Sequence, residues 1–253
     1  MRYHDTHFHL DLMSEPEKVA NEIERQQVYT IAVTNSPSVF FFTERVTSNK
    51  KFIRAALGLH PELAAERHKE IAKFSELIDK TRYIGEIGLD NNNKSPSDYQ
   101  KQKKVFEKLI SVCADKGDKI LTIHSRRAVK DVLAILGDEF PGKVILHWYS
   151  DPLRHIDVAI DRGYYFSINY PMLQSKNGKK IIDSIPLERI LIETDGPFTK
   201  NENQEFVPSM VPIILENLFS LKREFKSLDS LKKTIHRNFE NLLKTTYNRP
   251  FKN

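Results

Sequence analysis

The chain has 253 residues, 40% of them hydrophobic and 29% charged, a make-up that suits a globular fold with one large core. A net charge of +5 and a pI near 9.1 favour a polyanionic partner only mildly, because a lysine-rich surface also serves solubility. One cysteine, Cys113, excludes an internal disulfide; no apolar run approaches the ~18 residues of a membrane span and no charged-then-apolar leader opens the chain, so the expected location is the cytoplasm.

Strand-like and helix-like stretches alternate along the whole sequence. Arg2–His9 reads as a first strand, followed by a helix near Glu15–Gln26 with Pro16 in its first turn. The β-branched run Val28–Thr34 is a second strand, followed by a helix over Val39–Thr47 and a third strand, Phe52–Leu57. A helix over Glu62–Asp79 leads to strand four, Tyr83–Gly88. Gln100–Lys116 is a long helix with Val105, Leu109 and Val112 on one face. Lys119–His124, Lys143–His147, Tyr164–Ile168 and Arg189–Asp195 are strands five to eight. Helices over Arg126–Leu136, Pro152–Arg162 and Lys176–Ile185 separate them, and two more close the chain near Pro208–Phe225 and Leu228–Thr245. Eight apolar strands, each followed by a helix, predict one α/β domain over residues 1–253, a (β/α)8 TIM barrel. An open doubly wound sheet is the alternative. Asn91–Pro96 and Thr199–Gln204 read as βα loops flanking the mouth of a pocket.

The chemistry gathers at the strand ends. His7 and His9 are one residue apart and face the same side of strand one. Alone, such a pair reads as readily as two ordinary strand histidines. Glu86 lies in strand four, while His124, His147 and Asp195 end strands five, six and eight. In a barrel these ends share one rim. Four nitrogens and two carboxylates exceed what one ion normally takes; they suit two divalent ions about 3.5–4 Å apart, with Glu86 between them. Imidazole-rich ligation suits Zn²⁺ or Mn²⁺, and phosphate chemistry suits Mg²⁺.

The motifs DTHFH (5–9), GLHP (58–61), GEIGLD (85–90), HSR (124–126), HWYS (147–150) and ETDGP (193–197) resemble, in order, those of the TatD-related metal-dependent hydrolases, a branch of the amidohydrolase-like barrels. The resemblance implies a 3′–5′ exodeoxyribonuclease or related phosphodiesterase. It assigns His7, His9, Glu86 and Asp195 to one ion, and Glu86, His124 and His147 to the other. TIAVTNSPSVF (30–40), HSRRA (124–128) and GKVILHWYS are closer to the branch tied to Qat-type antiphage systems, which implies other Qat proteins as partners.

Two departures fall on the pocket wall. The usual His-Cys-Phe-Ser-Gly is His147-Trp148-Tyr149-Ser150-Asp151 here, and the segment after ETDGPF is short and lacks the usual arginine. His60 either contacts a phosphate or donates a proton over the metals, or caps its own turn. Arg126 either clamps a phosphate oxygen or pairs with an acid. Trp148 and Tyr149 either stack an unpaired base at a DNA end or pack. Asp195 is a candidate acceptor for the proton of an attacking water, and Glu193 a residue that orients a ligand. His4, His68, His155 and His236 match no motif and read as surface or structural; Lys176, Lys179 and Lys180 read as a solvated helix face. The rivals are a hydrolase of a small C–N or ester substrate, against which Glu86 stands where a bridging lysine would be, and a binding subunit of a defence complex with weak turnover.

Overall fold

A computed structural model describes residues 2–244 apart from Asn93 and Arg223. Eight parallel strands form its centre: β1 His4–Phe8, β2 Tyr29–Ala32, β3 Ile53–Ala55, β4 Tyr83–Gly88, β5 Ile120–His124, β6 Lys143–His147, β7 Tyr165–Ile168 and β8 Ile190–Ile192. Regular pairing runs in two arcs, β1–β3 and β4–β8. Leu57 joins the arcs, donating to Tyr83 O and accepting from Gly85 N, both at 2.9 Å. The circle closes where Asp195 N donates to His7 O at 2.9 Å and His9 N to Gly196 O at 3.0 Å. The expected barrel is the observed one, and these bonds exclude the open sheet.

Helices wrap the barrel: α1 Pro16–Gln26, α2 Pro37–Thr47, α3 Ala64–Arg67, α4 Ile71–Leu77, α5 Pro96–Lys116, α6 Val129–Leu136, α7 Ile156–Asp161, α8 Tyr170–Gln174, α9 Lys176–Ser184, α10 Val211–Leu221 and α11 Leu228–Leu243. In α5, Val105, Phe106, Leu109, Ile110 and Cys113 recur at helical spacing and are buried. Ser95 caps its start by accepting from Asp98 N at 3.1 Å, and Gly117 ends it at φ 74°. Among the described residues no helix is long and apolar enough to cross a membrane.

Several boundaries differ from expectation. Glu62–Asp79 is not one helix: α3 and α4 are separated and flanked by 3₁₀ turns at Pro61–Leu63, His68–Glu70 and Ile78–Lys80. Tyr170–Gln174 is a helix where none was expected. Thr199–Gln204 is no plain loop, because Lys200–Asn201 (β9) pairs antiparallel with Gln204–Glu205 (β10) as a small hairpin. Pro96 opens α5 rather than closing the Asn91–Pro96 loop, in which Asn93 lies outside the described residues. Thr245, the expected end of the last helix, also lies outside them.

Strand alternation divides the barrel interior into two layers. Near the strand starts it is apolar: Ile31, Tyr83, Ile120, Ile145, Tyr165 and Leu191 pack there with Phe239 and Leu242 of α11. Asn238 fastens α11 by donating to Leu187 O at 2.6 Å and Ile190 O at 2.9 Å. His4 joins this layer, its ring stacked on Phe239 at 4.3 Å. Two or four residues further along the strands, the same face carries Thr122, His124, His147 and Ser167. The side chains with chemistry therefore sit on a packed plug.

Candidate metal centre at the strand ends

Glu86 is the hub. Its Oε2 lies 3.5 Å from His7 Nε2 and 3.4 Å from His9 Nε2. Its Oε1 lies 2.7 Å from His124 Nδ1, 3.4 Å from His60 Nε2 and 3.5 Å from His147 Nε2. Asp195 Oδ1 completes the first side, 3.6 Å from His7 Nε2 and 3.5 Å from His9 Nε2. The six side chains expected at one rim are thus together, and His60 joins them.

Three of the rings are aimed by a partner on the far side, whereas the buried Nδ1 of His9 has no hydrogen-bond partner. His7 Nδ1 meets Thr122 Oγ1 at 2.8 Å, reaching across the barrel to β5. His147 Nδ1 donates to Glu193 at 3.1 Å. His124 Nε2 donates to Asp90 Oδ2 at 2.8 Å, which leaves Nδ1 for Glu86. Such bonds fix which nitrogen faces inward. Glu193 is anchored in turn by Ser167, by Asn169 Nδ2 at 2.9 Å and by Trp148 N at 3.1 Å. Asp90, Thr122, Ser167 and Asn169 were not anticipated. Thr122 carried a signal, since it shares a strand face with His124 by period-2 spacing.

The donor set fits a cation. The ligand atoms of His7, His9 and Asp195 all lie within 4.8 Å of one another, as do those of His60, Glu86 and His124. His7 Nε2 and His9 Nε2 stand 3.2 Å apart. Burial works against the Glu86 charge, yet His60, His7 and the bond from His124 hold its carboxyl well below the usual carboxylate range. Burial alone would lower His9 and His124, but the carboxylates around each push them up to about 10. Burial and the neighbouring His147 lower His7 instead, and a centre whose carboxylates favour positive charge at His9 and His124 is one a divalent cation would suit. His147 borders both sides: its ring stacks on that of His7 at 3.7 Å, while its Nε2 faces Glu86 Oε1 at 3.5 Å, the oxygen that His60 and His124 also face.

The remaining expected residues separate. His60 caps its turn, Nδ1 accepting from Glu62 N at 3.2 Å, while its Nε2 faces Glu86 Oε1 at 3.4 Å. Arg126 is exposed just past β5. Trp148 is half-buried at φ 37°. Tyr149 is corrected: it is 1% exposed, its ring packs edge-on to Phe166 and its hydroxyl donates to Pro152 O at 2.7 Å. A base cannot stack on it, because the residue after Trp148 turns back into the core. His4 is buried, and His68 is exposed. His155 and His236 are half-buried, and Lys176, Lys179 and Lys180 lie exposed on α9. Phe198 was not foreseen; its ring stands edge-on to His9 at 5.0 Å.

A family model described as TatD related DNase matches residues 4–244. The chain belongs to this family. It is 32% identical over 236 residues to the uncharacterized metal-dependent hydrolase YabD of Bacillus subtilis, covering 86% of this chain and 90% of the relative. It is 30% identical over 148 residues, 53% of this chain and 56% of the relative, to a protein of Salmonella typhimurium named 3′–5′ ssDNA/RNA exonuclease TatD. The crystal structure of a TatD homolog from Escherichia coli superimposes with a TM-score of 0.84 at 22% identity, covering 95% of this chain and 97% of that one. This TatD-family chain is accordingly a metal-dependent hydrolase with residue clusters able to hold a metal.

Proposed function

We propose that this TatD-family protein is a 3′–5′ exodeoxyribonuclease that trims single-stranded or frayed DNA ends with two divalent ions, Mg²⁺, Mn²⁺ or Zn²⁺. The observation that carries the reading is the division of Glu86, one oxygen towards His7 and His9 and the other towards His60, His124 and His147. His7, His9, Glu86 and Asp195 would hold one ion, and Glu86, His124 and His147 the other, with His60 in reach. When bound, the ions supply Lewis acidity towards a water and towards phosphoryl oxygens.

The chain's own groups do the rest. Asp195 is the acceptor for the attacking water's proton. The Nδ1 of His60 accepts from Glu62 N, which leaves Nε2, the atom that faces Glu86, as the nitrogen that donates. That orientation suits a donor to the leaving oxygen. Arg126, exposed on the rim, clamps a phosphate oxygen of the substrate. Trp148 lies beside ligand His147, rings 6.3 Å apart. The relative in Salmonella typhimurium whose name gives single-stranded DNA and RNA supports the strand type, and the net charge of +5 suits a polyanion. The likeness to the Qat-type branch supports work in the cytoplasm inside an antiphage system, alongside other Qat proteins.

The test is cleavage of end-labelled linear single strands with Mg²⁺, Mn²⁺ or Zn²⁺, beside closed circular single strands. Linear strands are expected to shorten from the 3′ end and circles to survive; Glu86→Ala is expected to be inactive but still to bind DNA. Equal cleavage of circles, or full activity of Glu86→Ala, overturns the reading.

A further inference from the structure

Phe198 is 59% exposed, the most exposed large apolar side chain among the described residues. A lone exposed ring needs no explanation, but this one has two further properties. It stands at the centre of chemistry: its ring meets that of His9 edge-on at 5.0 Å and 87°, and His9 Nε2 is 3.5 Å from Asp195.

It is also held still. Phe198 N donates to Asp195 O at 3.0 Å, and Thr199 N to the same oxygen at 3.2 Å. Thr199 is 1% exposed, and its hydroxyl donates to Thr194 O. Two residues earlier, a Cβ on Gly196 would come within 1.8 Å of Phe206 O, so the turn is packed against its neighbour. The Phe206 N bond to Thr199 O at 3.0 Å fixes the base of the hairpin. The backbone on both sides is tied down while the ring stays in water.

Resting on the reading of the site as a nuclease centre, we propose that Phe198 is the platform on which the terminal base of a single strand stacks while its phosphodiester lies over Glu86 and Asp195. A base is one sugar away from its phosphate, and Phe198 is one imidazole away from the carboxylates. Tyr149 is removed from this role by its burial. Trp148 is half-buried and lies at the other end of a row of rings that runs Trp148, His147, His7, His9, Phe198. Stacking on a π-face tolerates any base, so the platform selects an unpaired end and not a sequence. A base inside a duplex has both faces covered and cannot use it.

The experiment compares wild type, Phe198→Ala and Phe198→Trp on two end-labelled single strands, one ordinary and one with an abasic 3′-terminal nucleotide. On the ordinary strand Phe198→Ala is expected to raise KM by about 5- to 150-fold, the worth of one stacked base. Phe198→Trp is expected to restore it. On the abasic strand the three proteins are expected to agree within about twofold. The rise in Tm on adding Mn²⁺, a readout of the His9 side, is expected to be the same for all three. An equal loss on both strands, or none on either, overturns the platform and leaves the nuclease reading standing. A wild type that neither cuts nor binds either strand removes both.

Discussion

Asp90 accepts a hydrogen bond from His124 Nε2 at 2.8 Å, on the far side of a ring whose Nδ1 lies 2.7 Å from Glu86. Asp90 is itself fixed: its backbone N donates to Gln102 Oε1 at 2.8 Å, and its Oδ1 accepts from Asn92 N at 2.7 Å. It touches no substrate position and acts by aiming the ring. Asp90→Asn is expected to lower divalent-ion affinity by about 10–100-fold, as loss of such a partner typically does. Calorimetric titration with Mn²⁺ measures this directly, and a thermal melt of the ion-free protein should stay close to wild type. Unchanged affinity would mean that His124 is aimed by packing alone.

Ion binding should appear as stability. A ligand at one hundred times its Kd stabilises the folded state by about 2.7 kcal/mol. For a chain of this size that is a rise in Tm of about 5–10 °C. Mn²⁺ or Zn²⁺ is expected to give such a rise in wild type, EDTA to remove it, and Glu86→Ala to lose most of it because both sides of the centre share that carboxylate. An equal rise in Glu86→Ala places the ions elsewhere.

Gly88 ends β4 at φ 141°, where a side chain is strained, and a Cβ there would come within 2.0 Å of His124 O. The close approach lets β4 lie against β5 at the site. Gly88→Ala is expected to cost about 3 kcal/mol or more, from strain and clash together. Thermal melts should show a fall in Tm of about 6 °C or more, and a smaller change would mean that the strand end can shift freely.

His4 couples the bottom of the barrel to acid. Burial, with a smaller push from His236, lowers its pKa from 6.5 to about 3. Between these values the unfolded chain binds the extra proton and the folded one does not, so stability from this residue is present near pH 7 and is lost as pH falls through the unfolded pKa. From pH 7 to 5 the loss from His4 is about 2 kcal/mol. Denaturant melts at the two pH values measure it, and His4→Gln is expected to flatten the difference. An unaltered slope would assign the acid sensitivity to other groups.

The alternation of apolar runs and amphipathic helices determined the barrel, because period-2 and period-3.6 burial are local properties of the chain. His7, His9, His124, His147 and Asp195 were legible for the same reason: a residue at a strand's C-terminal end has one destination once the strands are parallel. The breaks in Glu62–Asp79 were not legible, since caps and 3₁₀ turns there depend on contacts such as Glu70 accepting from Ser38 N at 2.9 Å. Tyr149 illustrates the limit most directly. Beside Trp148, it looked like a second ring for the pocket, but the φ of 37° at Trp148 turns the chain and delivers Tyr149 to Phe166. Tertiary structure alone decided which nitrogen of His7, His124 and His147 faces inward. Thr122, Asp90 and Glu193 make that choice from 115, 34 and 46 residues away in sequence. A hydrogen bond of that range leaves no periodic trace in the chain, because its partners are brought together only when the circle of strands closes.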